Sequence, residues 1–254
     1  MHRAGIAQSM IVPWLPAQQI VDTLVGEGAD RDTSMERVIK RWSDLNSWAA
    51  ASVQAHPQEL ACLVGLDPVL MSPATLEAEV KRGLTGGAIG IKVAPMFLSL
   101  HPDDEAMEVV WRLARDHDVF VLSEACATPG LPGFEAWGHP KHFDEVCRSY
   151  PGVSVQLAHL GVGGETEVAR LTSRYSNVFA DLSMRLGGPV PIPFSPAETL
   201  QHIRAIGVDR ILFGTNYPLV GQGSYVSAFR DLGLNEDEQQ AISSENAKQL
   251  YGRK

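Results

Sequence analysis

Gly87-Ala-Ile-Gly-Ile-Lys-Val-Ala-Pro95 is a run of small and β-branched residues closed by a proline, and it reads as a strand. Its apolar character is continuous rather than alternating, as expected where both faces of a strand are buried. Pro102-Asp-Asp-Glu105 then opens a helix that carries Met107, Val110 and Trp111 on one side. Proline in a first turn and acids near the positive helix end both favour that start. The same alternation extends outward in both directions. Short apolar runs lie at Ser9 to Val12, Ala61 to Leu66, Val119 to Leu122, Val153 to Leu157, Asn177 to Ala180 and Arg210 to Phe213. Asn235, with Glu238 three residues later, resembles a capping box and starts a last helix through Ile242 to Leu250. Strand followed by helix, repeated, predicts a parallel sheet with right-handed crossovers. Seven strands are one short of a closed (β/α)8 TIM barrel.

The 254 residues suit one α/β-barrel domain spanning 1–254, with a helical insertion at about 26–57 that forms either an extra surface helix or a lid. The net charge of −9 and the absence of a basic stripe argue against nucleic acid as a partner. No apolar run reaches the ~20 residues that cross a bilayer, so no membrane partner is expected. Met1-His-Arg-Ala-Gly-Ile6 lacks a signal pattern. Cys62, Cys126 and Cys147 show no CxxC spacing and read as reduced thiols in a cytoplasmic protein.

Several segments together resemble the amidohydrolase-related barrels, the branch with aminocarboxymuconate-semialdehyde decarboxylase-like enzymes and pyrone-dicarboxylate lactonases. Gly87 to Pro95 is similar to that family's fourth strand. Pro140-Lys-His-Phe-Asp-Glu-Val146, with Tyr150-Pro-Gly-Val-Ser-Val-Gln-Leu-Ala-His-Leu-Gly161, resembles its sixth strand and preceding helix. Asp209-Arg-Ile-Leu-Phe-Gly-Thr-Asn-Tyr-Pro218 resembles the eighth strand, and Ser244-Glu-Asn-Ala-Lys-Gln-Leu-Tyr-Gly252 the closing helix. The resemblance covers about residues 58–252 and implies a TIM barrel lacking its first strand. A gap of that kind leaves strand edges open, so a homodimer with the N-terminal segment near the contact is expected.

The resemblance also implies a divalent metal such as zinc, held by a His-x-His pair, a fifth-strand histidine and an eighth-strand aspartate. Here no His-x-His exists, the fifth-strand position is Glu124 and the eighth-strand position is Asn216. Only His159 matches, so the cofactor is expected to be none or one metal, with Glu124 and His159 as its remaining candidate ligands. His159 is the candidate acid/base, or an interior hydrogen-bonded histidine. Glu124 is a second base whose carboxyl burial raises, or the partner of a nearby cation. Lys92 binds a substrate carboxylate or pairs with Glu124. Asp181 and Asn216 are candidate substrate contacts, and Asp181 is alternatively a helix cap. Cys126 reads as a buried thiol. Gly161-Val-Gly-Gly164 is either an anion cradle or a tight turn.

The implied function is hydrolysis or decarboxylation of a small carboxylated or cyclic substrate, with or without metal. Some lactonase relatives dispense with the metal. The alternative is a non-catalytic relative that keeps the barrel to bind a ligand or a partner subunit.

Overall fold

The computed structural model describes residues 1–127, 137–187 and 195–252. In chain order they form β1 (Ser9–Ile11), α1 (Ala17–Gly26), α2 (Arg31–Ala55), β2 (Leu60–Gly65), α3 (Pro73–Thr85) and β3 (Ala88–Val93). Next come α4 (Pro95–Leu98), α5 (Glu105–Asp116), β4 (Phe120–Ser123), α6 (Phe143–Ser149), β5 (Val155–Leu157) and α7 (Glu165–Arg174). The last third holds β6 (Val178–Asp181), α8 (Pro196–Ile206), β7 (Ile211–Leu212), α9 (Gln222–Arg230), α10 (Glu236–Gln240) and α11 (Asn246–Tyr251).

All strand pairs are parallel and follow chain order, β1 to β7. Among the described residues the sheet curls into a TIM barrel that lacks one strand. The expected strands are present within two residues at either end. The capping box at Asn235 is formed, and α5 starts at Glu105. Pro102 instead lies in the turn before α5, where its carbonyl accepts from the Trp111 indole at 2.8 Å.

Side chains alternate between two layers, as the two-residue strand period requires. Cys62, Val64, Ile91, Val93, Val121, Val155, Leu157, Val178, Ala180 and Ile211 pack against the helices. Leu63, Phe120, Leu122, Phe179 and Leu212 form a second apolar cluster together with Leu250, and Tyr251 packs against it. The C-terminal helix thus fills the interior from the end where the strands begin. Phe120 needs a glycine opposite it: a Cβ on Gly90 would lie 2.7 Å from its ring.

Residues 31–55 supply the crossover helix from β1 to β2. Asp30 caps α2 by accepting from Thr33 N–H at 2.9 Å. β1 pairs with β2 only as far as Cys62, so Gly65 lacks a partner strand on that side. Asn46 of α2 takes its place, donating to Gly65 O at 3.0 Å and accepting from Gly65 N–H at 2.9 Å.

Gly90→Val should destabilise the barrel by about 1–3 kcal/mol, because the ring of Phe120 has to move off its rotamer. Urea unfolding of the two proteins measures this, and equal midpoints would mean that Phe120 does not depend on the gap at Gly90.

Candidate functional site

The ends of β3, β4, β5 and β6 bring Lys92, Glu124, His159 and Asp181 together inside the barrel. Lys92 points inward because Ile91 and Val93 face the helices, and it is 4% exposed. Glu124 follows β4 directly, its N–H bonded to Val93 O at 3.0 Å. Its carboxylate bridges two groups: Oε2 lies 3.3 Å from Lys92 Nζ and Oε1 lies 2.8 Å from His159 Nε2.

His159 sits where β5 breaks into a left-handed turn, with φ 60° at His159 and 55° at Leu160. Such angles cost side-chain-bearing residues roughly 1–3 kcal/mol each and persist only where neighbours hold them. Asp181 does so, its Oδ1 accepting from His159 N–H at 3.2 Å. The imidazole Nδ1 lies 3.0 Å from the Ser183 carbonyl and 2.7 Å from the Ser183 hydroxyl. A carbonyl only accepts, so Nδ1 carries a proton, and the carboxylate of Glu124 calls for a second one on Nε2. His159 is therefore an imidazolium.

Electrostatics follow from this triad. Burial alone would raise the Glu124 carboxyl, yet the charges of His159 and Lys92 hold it far below the usual carboxylate range. That is opposite to the raised value expected of a lone buried acid. Burial would lower His159, and the charge of Glu124, helped by Asp181, lifts it above an ordinary imidazole.

Asp181 is 4% exposed and turned to internal donors. Besides His159 N–H it accepts from Ser183 N–H at 3.0 Å, from the Ser183 hydroxyl, and from Gln156 Nε2 at 2.8 Å. Asn216 lies in the turn after β7 at φ 60°, its carbonyl accepting from Leu219 N–H at 3.0 Å. Among the described residues no hydrogen bond joins its side chain to the Lys92–Glu124–His159 triad. Cys126 is buried, as expected. Gly161 and Gly164 form a turn packed on Pro140, where a Cβ at Gly161 would lie 2.8 Å from the proline ring.

A narrow cleft of about 10 Å³, room for about one water, opens beside Lys92. Trp14, Leu15, Trp42, Leu66, Phe97 and Leu98 help to line it, and Lys92 is its one charged wall among the described residues. Trp14 and Phe97 meet with ring centroids 4.8 Å apart. Sequence reasoning missed Trp14, Phe97, Ser183 and Gln156. The only signal in the chain was an isolated tryptophan just after the first strand.

The family model of the amidohydrolases (Amidohydro_2) matches residues 17–253. No curated protein matches the chain. A dihydroxybenzoic acid decarboxylase from Polaromonas sp. JS666, solved with manganese and the inhibitor 2-nitroresorcinol, superposes with a TM-score of 0.75 at 19% identity. The match covers 99% of this chain and 83% of that one. The 2,6-dihydroxybenzoate decarboxylase from Rhizobium gives 0.74 at 18% identity, covering 99% and 86%. An uncharacterised TIM-barrel protein from Bordetella bronchiseptica gives 0.70 at 20%, covering 82% and 72%.

The donors in this chain do not fit a divalent metal of the kind carried by the first of these structures. Both oxygens of Glu124 and the Nε2 of His159 are committed to the ion pairs, and an ammonium group stands beside them. Among the described residues no three His, Cys, Asp or Glu side chains stand together as ligands.

Replacing Glu124 by Gln should move the titration of His159 to lower pH, read by 15N-edited NMR, and destabilise the fold by about 3–5 kcal/mol. In the native protein the depressed Glu124 contributes stability above its ordinary 4.5 and loses it as pH falls through its folded value. The raised His159 contributes fully below 6.5 and loses it as pH climbs through its folded value. The pair therefore stabilises most between pH 4.5 and 6.5. An unchanged His159 titration in the variant would break the ion-pair account.

Proposed function

Because the chain belongs to the amidohydrolase family, we propose that it is an enzyme of that group, a carbon–carbon lyase that decarboxylates a small cyclic carboxylate without a divalent metal. The observation that carries this reading is the apolar cleft with Lys92 as its charged wall, joined to the His159 imidazolium through Glu124. An ammonium beside aromatic walls suits a planar anion, with the carboxylate at Lys92 and the ring against Trp14 and Phe97, whose contact has to open to admit it. Decarboxylation exchanges a carboxylate for a proton on the same carbon and releases carbon dioxide. It therefore needs a cation to orient the carboxylate and an acid to supply the proton. Lys92 is the first, His159 Nε2–H the second, and Glu124 keeps the imidazole charged until it is used. The dihydroxybenzoate decarboxylases of the same fold act on such acids. Hydrolysis of a cyclic ester is the second chemistry open to an acid/base pair of this kind.

A specific observation favours the non-catalytic alternative as well: Glu124 is fully satisfied by internal cations, an arrangement that would serve a binding site. Turnover separates the two. With a panel of benzoate and pyrone carboxylates, release of carbon dioxide is expected for at least one member. His159→Asn should lower that rate roughly a hundredfold or more. Lys92→Met should mainly raise KM. Binding of a panel member without release or hydrolysis would support the ligand-binding role.

Chelation should leave the rate unchanged, and metal analysis of the purified protein should find well under one equivalent of zinc or manganese. Restoration of activity by either metal after chelation would overturn the metal-free reading.

Among the described residues no helix is long and apolar enough to cross a membrane. The burial of all three cysteines agrees with a cytoplasmic setting. The outer edge of β7 is covered, since Ile211 O accepts from Asn246 and Phe213 N–H donates to Ile242 O, but the outer edge of β1 has no partner strand among the described residues and favours a homodimer in which a second copy shields it. A single monomeric species in sedimentation at micromolar concentration would remove the dimer from this picture.

A further inference from the structure

A buried hydrogen-bond chain runs from the C-terminal helix to His159. The Tyr251 hydroxyl donates to Gln156 Oε1 at 2.8 Å, and Gln156 Nε2 donates to Asp181 Oδ2 at 2.8 Å. Asp181 Oδ1 accepts from His159 N–H and from both the N–H and the hydroxyl of Ser183. The Ser183 carbonyl and hydroxyl oxygens in turn accept from His159 Nδ1–H at 3.0 and 2.7 Å. Gln156 and Asp181 are each 4% exposed, so water does not substitute for a lost link.

The polarity of every link is fixed. A carboxylate cannot donate, so the Gln156 amide must present its NH2 to Asp181. Its oxygen then faces Tyr251, which must be the donor. We infer that Tyr251 and Gln156 are positioning residues for His159, acting through Asp181 and Ser183 to hold its left-handed backbone and aim Nε2 at Glu124. This makes Asp181 an internal anchor with no contact to substrate. The part of the inference that concerns turnover rests on the proposed reaction, whereas the geometry of His159 does not.

Tyr251→Phe is the direct test, since the phenyl ring keeps its packing on Phe120, whose centroid lies 4.8 Å away, and loses only the hydroxyl. The readout is the Nδ1–H proton resonance of His159 in 15N-histidine-labelled protein, assigned by its loss in His159→Asn. In the wild type it is expected downfield and protected from exchange. In Tyr251→Phe it should shift and exchange faster, while kcat falls roughly ten- to a hundredfold at nearly unchanged KM. Gln156→Met, which fills the same volume without the amide, should do the same should Tyr251→Phe fold poorly. A resonance that moves in a protein with no measurable turnover supports the positioning chain and counts against the decarboxylase reading. A resonance unmoved in both variants overturns the chain, whatever happens to the rate.

Discussion

The Glu124 carboxylate, held inside the barrel between the Lys92 ammonium and the His159 imidazolium, is the constraint from which the upper half of the interior follows. Any one of these charges alone would be costly to bury, and would discharge by shifting its pKa. Together they keep one another ionised. Because the three come from the ends of β3, β4 and β5, the pairing also fixes how those strand ends sit relative to one another. The negative charge of Asp181, one strand further on, balances the second cation. Two cations and two anions thus leave the buried cluster neutral, and each is directed by hydrogen bonds rather than by solvent.

The lower half of the interior obeys a different rule. Phe120, Phe179, Leu63 and Leu212 fill it, and α11 adds Leu250 and Tyr251 from the end where the strands begin. A barrel one strand short has interior volume to fill, and the closing helix contributes to filling it. Tyr251 then joins the halves, with its ring in the apolar floor and its hydroxyl on the polar network above. Burial pushes that phenol far above its ordinary range, so it remains a donor.

The strands were legible in the sequence because each is a local event, an apolar run bounded by glycine or proline. Lys92, Glu124 and His159 were legible as well, since each ends or follows such a run and so faces the same mouth. What could not be read was how the polar groups choose partners. Gln156 meets Asp181 across 25 positions and Tyr251 across 95, and no periodicity links them. Ser183 carries no signal in the sequence, because only the fold brings its carbonyl and hydroxyl to the imidazole Nδ1. The cleft was hidden for the same reason, because Trp14 lies in the loop after β1 and Phe97 on α4 after β3. Asn216 shows the converse. Its place in the chain resembled a ligand position, but the turn after β7 directs its carbonyl to Leu219 and leaves the triad to others.

Lys92 also explains why the cluster and a divalent ion compete for the same place. Two unit charges 4 Å apart repel by about 4 kcal/mol at an effective dielectric of 20, and a dication doubles this. An ion entering beside Glu124 would therefore have to expel or deprotonate Lys92 and take the Nε2 proton from His159. The two arrangements differ in what they can do. A metal offers open coordination positions to a water or an oxygen of the substrate, whereas an ammonium on a strand offers only a fixed charge and up to three hydrogen bonds. A fixed charge orients an anion well and generates a nucleophile poorly. Beside it stands an imidazolium, an acid able to give a proton to carbon. A cluster with these two properties agrees with the proposed reaction, in which an oriented carboxylate departs and a proton replaces it.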